Sequence, residues 1–153
     1  MGSFVVSTKE MADLAEQDLG VSEWLEVSRD QVQRFADATL DHQWIHLDEE
    51  RARNGPFGTT IAHGYLTLAL VPRLLDSVLS ISDEVRGVNY GLERVRFTAP
   101  VPVGSAIRLA VRFVMAETRP DGAIRYRLKL EVQLEGGDRP VMVAEALYLS
   151  YSS

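Results

Sequence analysis

The chain reads as an α+β protein in which a curled antiparallel sheet wraps a long central helix, and three observations predict this. Helical patterns occupy the first half of the 153 residues, residues 63–80 are apolar on almost every side, and from about residue 85 the sequence alternates in period two. With 46% hydrophobic and 25% charged residues it has the composition of a single domain, 1–153, able to bury its own core, and no linker or internal repeat divides it.

Each element has a local reason. Thr8 is placed to cap a helix over 8–18 that turns Met11, Leu14 and Ala15 inward, and Trp24, Leu25 and Val27 form a brief extended piece, which completes a section over 1–27. Ser28 then opens a helix with Val32, Phe35 and Ala36 towards the core. Residues 40–47 have no clean period, Asp48 caps a short helix over 49–53, and Asn54-Gly55-Pro56-Phe57-Gly58 breaks it, so 28–62 reads as loop and short helices. A helix over 63–80 must be surrounded by protein, and Pro72 predicts a kink there or a break in two. Over 85–151, Ile107, Leu109, Val111, Phe113 and Met115 alternate with Arg108, Ala110, Arg112 and Val114, and Ile124 to Leu134 repeat the pattern, which gives strands with one wet face. Pro120-Asp121-Gly122 and Gly136-Gly137-Asp138 stand where hairpin turns are needed. A few strands cannot wrap one helix fully, so the remaining sheet edge predicts a homodimer.

Composition removes several function classes. Without cysteine there is no thiolate nucleophile, thiolate metal site or disulfide framework. The net charge of −6 is concentrated in residues 1–54, with 12 acidic against 5 basic side chains, so nucleic acid is not an expected partner. No apolar run reaches the length of a membrane span and the N-terminus lacks a secretion pattern, so no membrane partner and a cytoplasmic setting are expected.

The chemistry-bearing residues gather in one window. His42, His46 and His63 lie within 22 residues, beside Asp41 and in a stretch of poor periodicity. A carboxylate and an imidazole close together can grip one water and exchange protons with it near neutral pH, which singles out Asp41 and His46. Read alone, Asp41 serves equally well as a turn or capping residue, and His46 as a satisfied core histidine. His42, His46 and His63 also admit a metal reading, but no glutamate stands between the first two and Trp44-Ile45 reads as packing. Gly64 begins the apolar helix, where free N–H groups suit developing negative charge; close helix–sheet contact is the alternative use of a glycine there.

Phe35-Ala-Asp-Ala-Thr-Leu-Asp41-His-Gln-Trp-Ile-His46, followed by Gly55-Pro-Phe-Gly-Thr-Thr-Ile-Ala-His-Gly64, resembles the hydratase signature of the MaoC-like, (R)-specific enoyl-CoA hydratase family, and Asn89-Tyr-Gly91 with Phe97 to Gly104 resembles its next block. The family pattern carries Gly-Asp-x-Asn-Pro-aliphatic-His, whereas here Leu40 precedes the aspartate and Gln43-Trp44 replaces Asn-Pro. The resemblance implies the hotdog fold and (R)-specific hydration of a trans-2-enoyl thioester of coenzyme A, or of acyl carrier protein, or the reverse dehydration, with no metal or redox cofactor. It implies Asp41, His46 and Gly64 as catalytic residues, and His63, Trp44, Phe57, Tyr65, Asn89 and Tyr90 as substrate-binding ones. Phe35, Phe57, Ile61 and Tyr65 are candidates for the acyl-chain wall, and each is equally at home in a core. A hotdog thioesterase, releasing free thiol, and a non-catalytic thioester-binding subunit are the alternatives.

Overall fold

The structure is a computed structural model and describes residues 2–153. A short strand β1 (Phe4–Val6) leads into helix α1 (Thr8–Ala12), strand β2 (Gln17–Val21) and strand β3 (Leu25–Glu26). Helices α2 (Arg29–Thr39), α3 (Trp44–Leu47), α4 (Glu49–Arg53), α5 (Gly64–Ala69) and α6 (Val71–Leu75) follow. Strand β4 (Leu79–Ile81) pairs in parallel with β1, and the long strands β5 (Arg86–Phe97), β6 (Ala106–Thr118), β7 (Ile124–Leu134) and β8 (Pro140–Tyr151) complete the chain.

The main sheet runs β2-β6-β7-β8-β5, with β3 also on β6, and its pairings are antiparallel. Period two decides which face is buried: Ile107, Leu109, Val111 and Phe113 of β6 and Ile124, Tyr126, Leu128, Leu130 and Val132 of β7 point inward. The alternation slips at a bulge between Phe113 and Met115, which leaves Met115 only half-buried. α1 and α6 cover β6 on the inner face, and Met11, Leu66, Val71, Leu74 and Val78 join the strands in one core. Removing the Phe113 side chain from this core would cost about 3–5 kcal/mol.

Three expectations about element bounds are corrected. The helix expected over 8–18 ends at Ala12, capped by Ser7 through a capping box with Glu10, so Ala15 is exposed and Gln17 begins a strand. The central helix expected over 63–80 stops at Leu75, and Leu79–Ile81 is strand, because β1 offers those residues a ladder of backbone partners. The break falls at Leu70, between α5 and α6; Pro72 then sits in the first turn of α6, where a missing N–H leaves no helical bond unmade. The stretch 40–47, read as irregular, holds the single turn α3. The helices expected from Ser28 and over 49–53 form as α2 and α4, with Ser28 and Asp48 as N-caps.

Candidate active site

Two tethered segments build the site. α2 ends at Thr39, and Leu40, at φ 63°, turns the chain through the left-handed region so that Asp41 starts a new direction. The Gln43 N–H donates to Asp41 Oδ1 at 3.3 Å, which steadies the turn into α3. Facing it, residues 60–62 are clamped on both sides: the Ala62 and Val103 N–H groups exchange bonds with the Val101 and Thr60 carbonyls, and the Ile61 N–H donates to Ile45 of α3.

Backbone carbonyls set the histidine tautomers. His46 Nδ1 lies 2.7 Å from the Ile61 carbonyl oxygen, which can only accept, so Nδ1 carries the proton and Nε2 is left to face outward contacts. His63 Nε2 lies 3.1 Å from the Asp41 carbonyl oxygen, so in His63 the proton is on Nε2. The two imidazoles stack at 3.7 Å and 24°, and Phe35 of α2 closes the other side of His63 at 4.8 Å. Both histidines are buried while Asp41 is exposed, and donor atoms of Asp41, His46 and His63 lie within 4.8 Å of one another. Burial, more than any neighbouring charge, holds His63 below the ordinary histidine value, which keeps it neutral.

Such a triad has the donor types of a metal site, but its ring geometry does not suit one. An imidazole binds a metal through an in-plane lone pair at about 2.0–2.1 Å. Two rings stacked face to face at 3.7 Å direct their lone pairs side by side, and these do not converge on one ion. His42, which the metal reading also used, is turned away onto Asp37 at 2.9 Å.

The other named residues divide. Gly64 follows His63 directly and opens α5; the first bonds of that helix run from Leu66 and Thr67 to the His63 carbonyl, so the Gly64 N–H has no place in the helix ladder. Trp44 belongs to another surface, with the Arg51 guanidinium 4.2 Å over its ring and Gly55 against its edge. Phe57 is exposed in the loop after α4. Tyr65 is 72% exposed and meets Phe97 edge-on at 6.0 Å. Asn89 and Tyr90 line, with Tyr65, Leu68, Pro72 and Tyr148, a cleft of about 450 Å³ between α5–α6 and the β5–β8 side of the sheet. Arg119 of the β6–β7 turn also lies over the Tyr90 ring, at 5.4 Å.

Two neighbours of the site were not singled out from sequence. Phe97, the last residue of β5, lies where a side chain on Gly64 would go. Tyr148 stacks on Tyr126 at the cleft, and burial pushes its phenol up to about 12, so it is a neutral donor. Strand periodicity alone gives no sign of either, because Phe97 meets the start of a helix distant in sequence and Tyr148 meets a tyrosine of the neighbouring strand.

A model of the MaoC-like domain matches residues 10–132. Over 141 residues, 92% of this chain and 93% of the relative, the sequence is 45% identical to 3-hydroxyacyl-thioester dehydratase Z of Mycobacterium tuberculosis. It is 36% identical over 132 residues to 3-hydroxybutyryl-CoA dehydratase of Methylorubrum extorquens, covering 85% and 78% of the two chains. The unliganded R-hydratase PhaJ1 of Pseudomonas aeruginosa superposes with a TM-score of 0.75 at 24% identity, over 97% of this chain and 87% of that one, a likeness of fold. The chain thus belongs to the MaoC-like family and is a hotdog-fold enzyme of the dehydratase and hydratase type.

Proposed function

We propose that the protein adds water to a trans-2-enoyl thioester, giving the (R)-3-hydroxyacyl thioester, or runs the reverse dehydration, with Asp41 and His46 acting on one water. The observation that carries this reading is the convergence of Asp41 and His46 to within 4.8 Å while the Ile61 carbonyl fixes the His46 tautomer. The names of the two relatives, a 3-hydroxyacyl-thioester dehydratase and a 3-hydroxybutyryl-CoA dehydratase, support the substrate class.

In the hydration direction a water molecule donates one hydrogen to the free Nε2 of His46 and the other to an Asp41 carboxylate oxygen. As its oxygen bonds to C3, the Nε2 lone pair takes the proton, and the C2–C3 π electrons move onto the thioester carbonyl as an enolate. The Gly64 N–H is the donor for that oxygen, where charge develops. The imidazolium then returns its proton to C2 from the same face, so the addition is syn and His46 ends neutral. Coenzyme A, or acyl carrier protein, is the carrier class, and the working unit is a homodimer formed through the unpaired edge of β5.

Purified protein with crotonyl-CoA should show loss of the conjugated enoyl absorbance and yield the (R)-3-hydroxy product. Asp41→Asn and His46→Gln should each lower turnover by about 10²–10⁴-fold, and the double variant should be little worse than the weaker single one. Release of free thiol from a saturated acyl-CoA without hydration would favour thioester hydrolysis instead.

A further inference from the structure

We propose that His63 is a positioning residue for this pair: its Nε2–H ties down the backbone that carries Asp41, and its ring backs the imidazole of His46. The proposal rests on the acid–base reading of Asp41 and His46, and it places His63 behind the reacting groups instead of on the substrate.

His63 is only 2% exposed and lies between Phe35 and His46. One of its nitrogens is bonded to the Asp41 carbonyl, and the other, Nδ1, is buried with no hydrogen-bond partner among the described residues. A buried acceptor without a partner is destabilising, so if the position needed only filling, phenylalanine or leucine would serve better. What the histidine adds is a donor and a neutral ring. The donor spans 22 residues of sequence to hold the loop between α2 and α3 against the start of α5. The ring gives His46 a fixed face to stack on, which sets the direction of its free Nε2.

The titratable groups that act on His63 are His46 on α3 and Asp41 and His42 in the loop before it, and Phe35 of α2 packs on its ring. Burial comes first in keeping His63 below the usual histidine range, the protonated forms of His46 and His42 act in the same sense, and the bond to the Asp41 backbone and the Asp41 charge oppose them. When His46 takes a proton from water, it therefore rests on an uncharged π face, which is favourable for a cation, and not against a second positive charge.

Two variants separate the two contributions. His63→Gln keeps an N–H near the place of Nε2 and removes the ring; His63→Phe keeps a ring and removes the donor. With crotonyl-CoA, both should lose ten- to a hundredfold in kcat with KM within about twofold. His63→Phe should melt no lower than the parent protein, so that its loss of kcat is not a loss of fold. Near-normal kcat in both variants would overturn the proposal, as would a rise in KM matching the fall in kcat, which would put His63 on the substrate. Asp41→Asn and His46→Gln run alongside: their full activity would sink the acid–base reading itself, whereas their inactivity beside active His63 variants would sink only the positioning role.

Discussion

Leu40 holds a backbone conformation that suits glycine, at φ 63° with its side chain 81% exposed. The left-handed region costs an L-residue about 1–2 kcal/mol, and little burial repays it here. The family pattern that the sequence resembles carries glycine at this point, before the aspartate, and glycine adopts such a φ without strain. Leu40→Gly should stabilise the protein, with relief of strain exceeding the roughly 0.5–1 kcal/mol of added unfolded-state entropy; urea midpoints with an unchanged m-value would measure the gain. Gly64 is the opposite case. It has no positive φ, so its backbone tolerates any residue, but a Cβ there would stand 3.0 Å from the Phe97 ring. Phe97 is half-exposed and can swing aside, so Gly64→Val should melt within a few degrees of the parent while losing about 10²-fold in turnover as the carbonyl position is obstructed. Equal losses in both would make the glycine structural. At this scale the sequence was most informative where chemistry is local: the five-residue spacing of Asp41 and His46 is spanned by one turn and one helical turn. It offered Ile61 only as a candidate for the acyl-chain wall and was silent on its carbonyl, because a backbone oxygen that fixes a tautomer leaves no mark on residue type.

The elements legible from sequence were those whose pattern is long. β6 carries four inward residues and β7 five in strict alternation, and α2 shows its cap and its buried face together. β4 was misread because Leu79–Ile81 is three residues long, too short to carry a period, and only the register Phe4↔Leu79 to Val6↔Ile81 makes it a strand. The helix expected over 8–18 is short for the same kind of reason, since Gln17–Val21 pairs with β6 and is not available to a helix. α1 is held from outside by Asp83, whose carboxylate accepts from the Thr8 N–H at 2.8 Å and the Thr8 hydroxyl at 2.7 Å, next to the β1–β4 pair. These bonds hold the Asp83 carboxyl below the ordinary aspartate value, the hydroxyl bond contributing most. A carboxylate with a lowered folded-state pKa stabilises the fold above its unfolded value of about 3.9, and that contribution is lost as pH falls through the folded value. Asp83→Ala should therefore lower the melting temperature at pH 7 by more than at pH 3. A gap of constant size across that range, measured by thermal melts, would mean that the carboxylate charge is not what holds α1.

For the molecule as a whole the decisive feature is β5. It pairs with β8 on one side only, and every residue of its twelve except Val95 is exposed. Val88, Tyr90, Leu92 and Phe97 leave an apolar surface there, continuous with Tyr65 through the Tyr65–Phe97 contact. A strand of this length with free N–H and C=O groups on one edge is a template for another strand, and a two-fold axis lets β5 supply its own partner. The same strand reaches the candidate site, since Phe97 packs on Gly64. Assembly and activity should therefore fail together. Leu92→Lys places a charge on a side chain now 45% exposed, and in a two-fold interface each copy brings the charge, so its effect counts twice. The variant should sediment as a folded monomer at micromolar concentration, with unchanged far-UV circular dichroism and much reduced hydration of crotonyl-CoA, and raising its concentration should restore part of both dimer and activity by mass action. A parent protein that sediments as a stable, fully active monomer would remove β5 from the interface and the partner from the site.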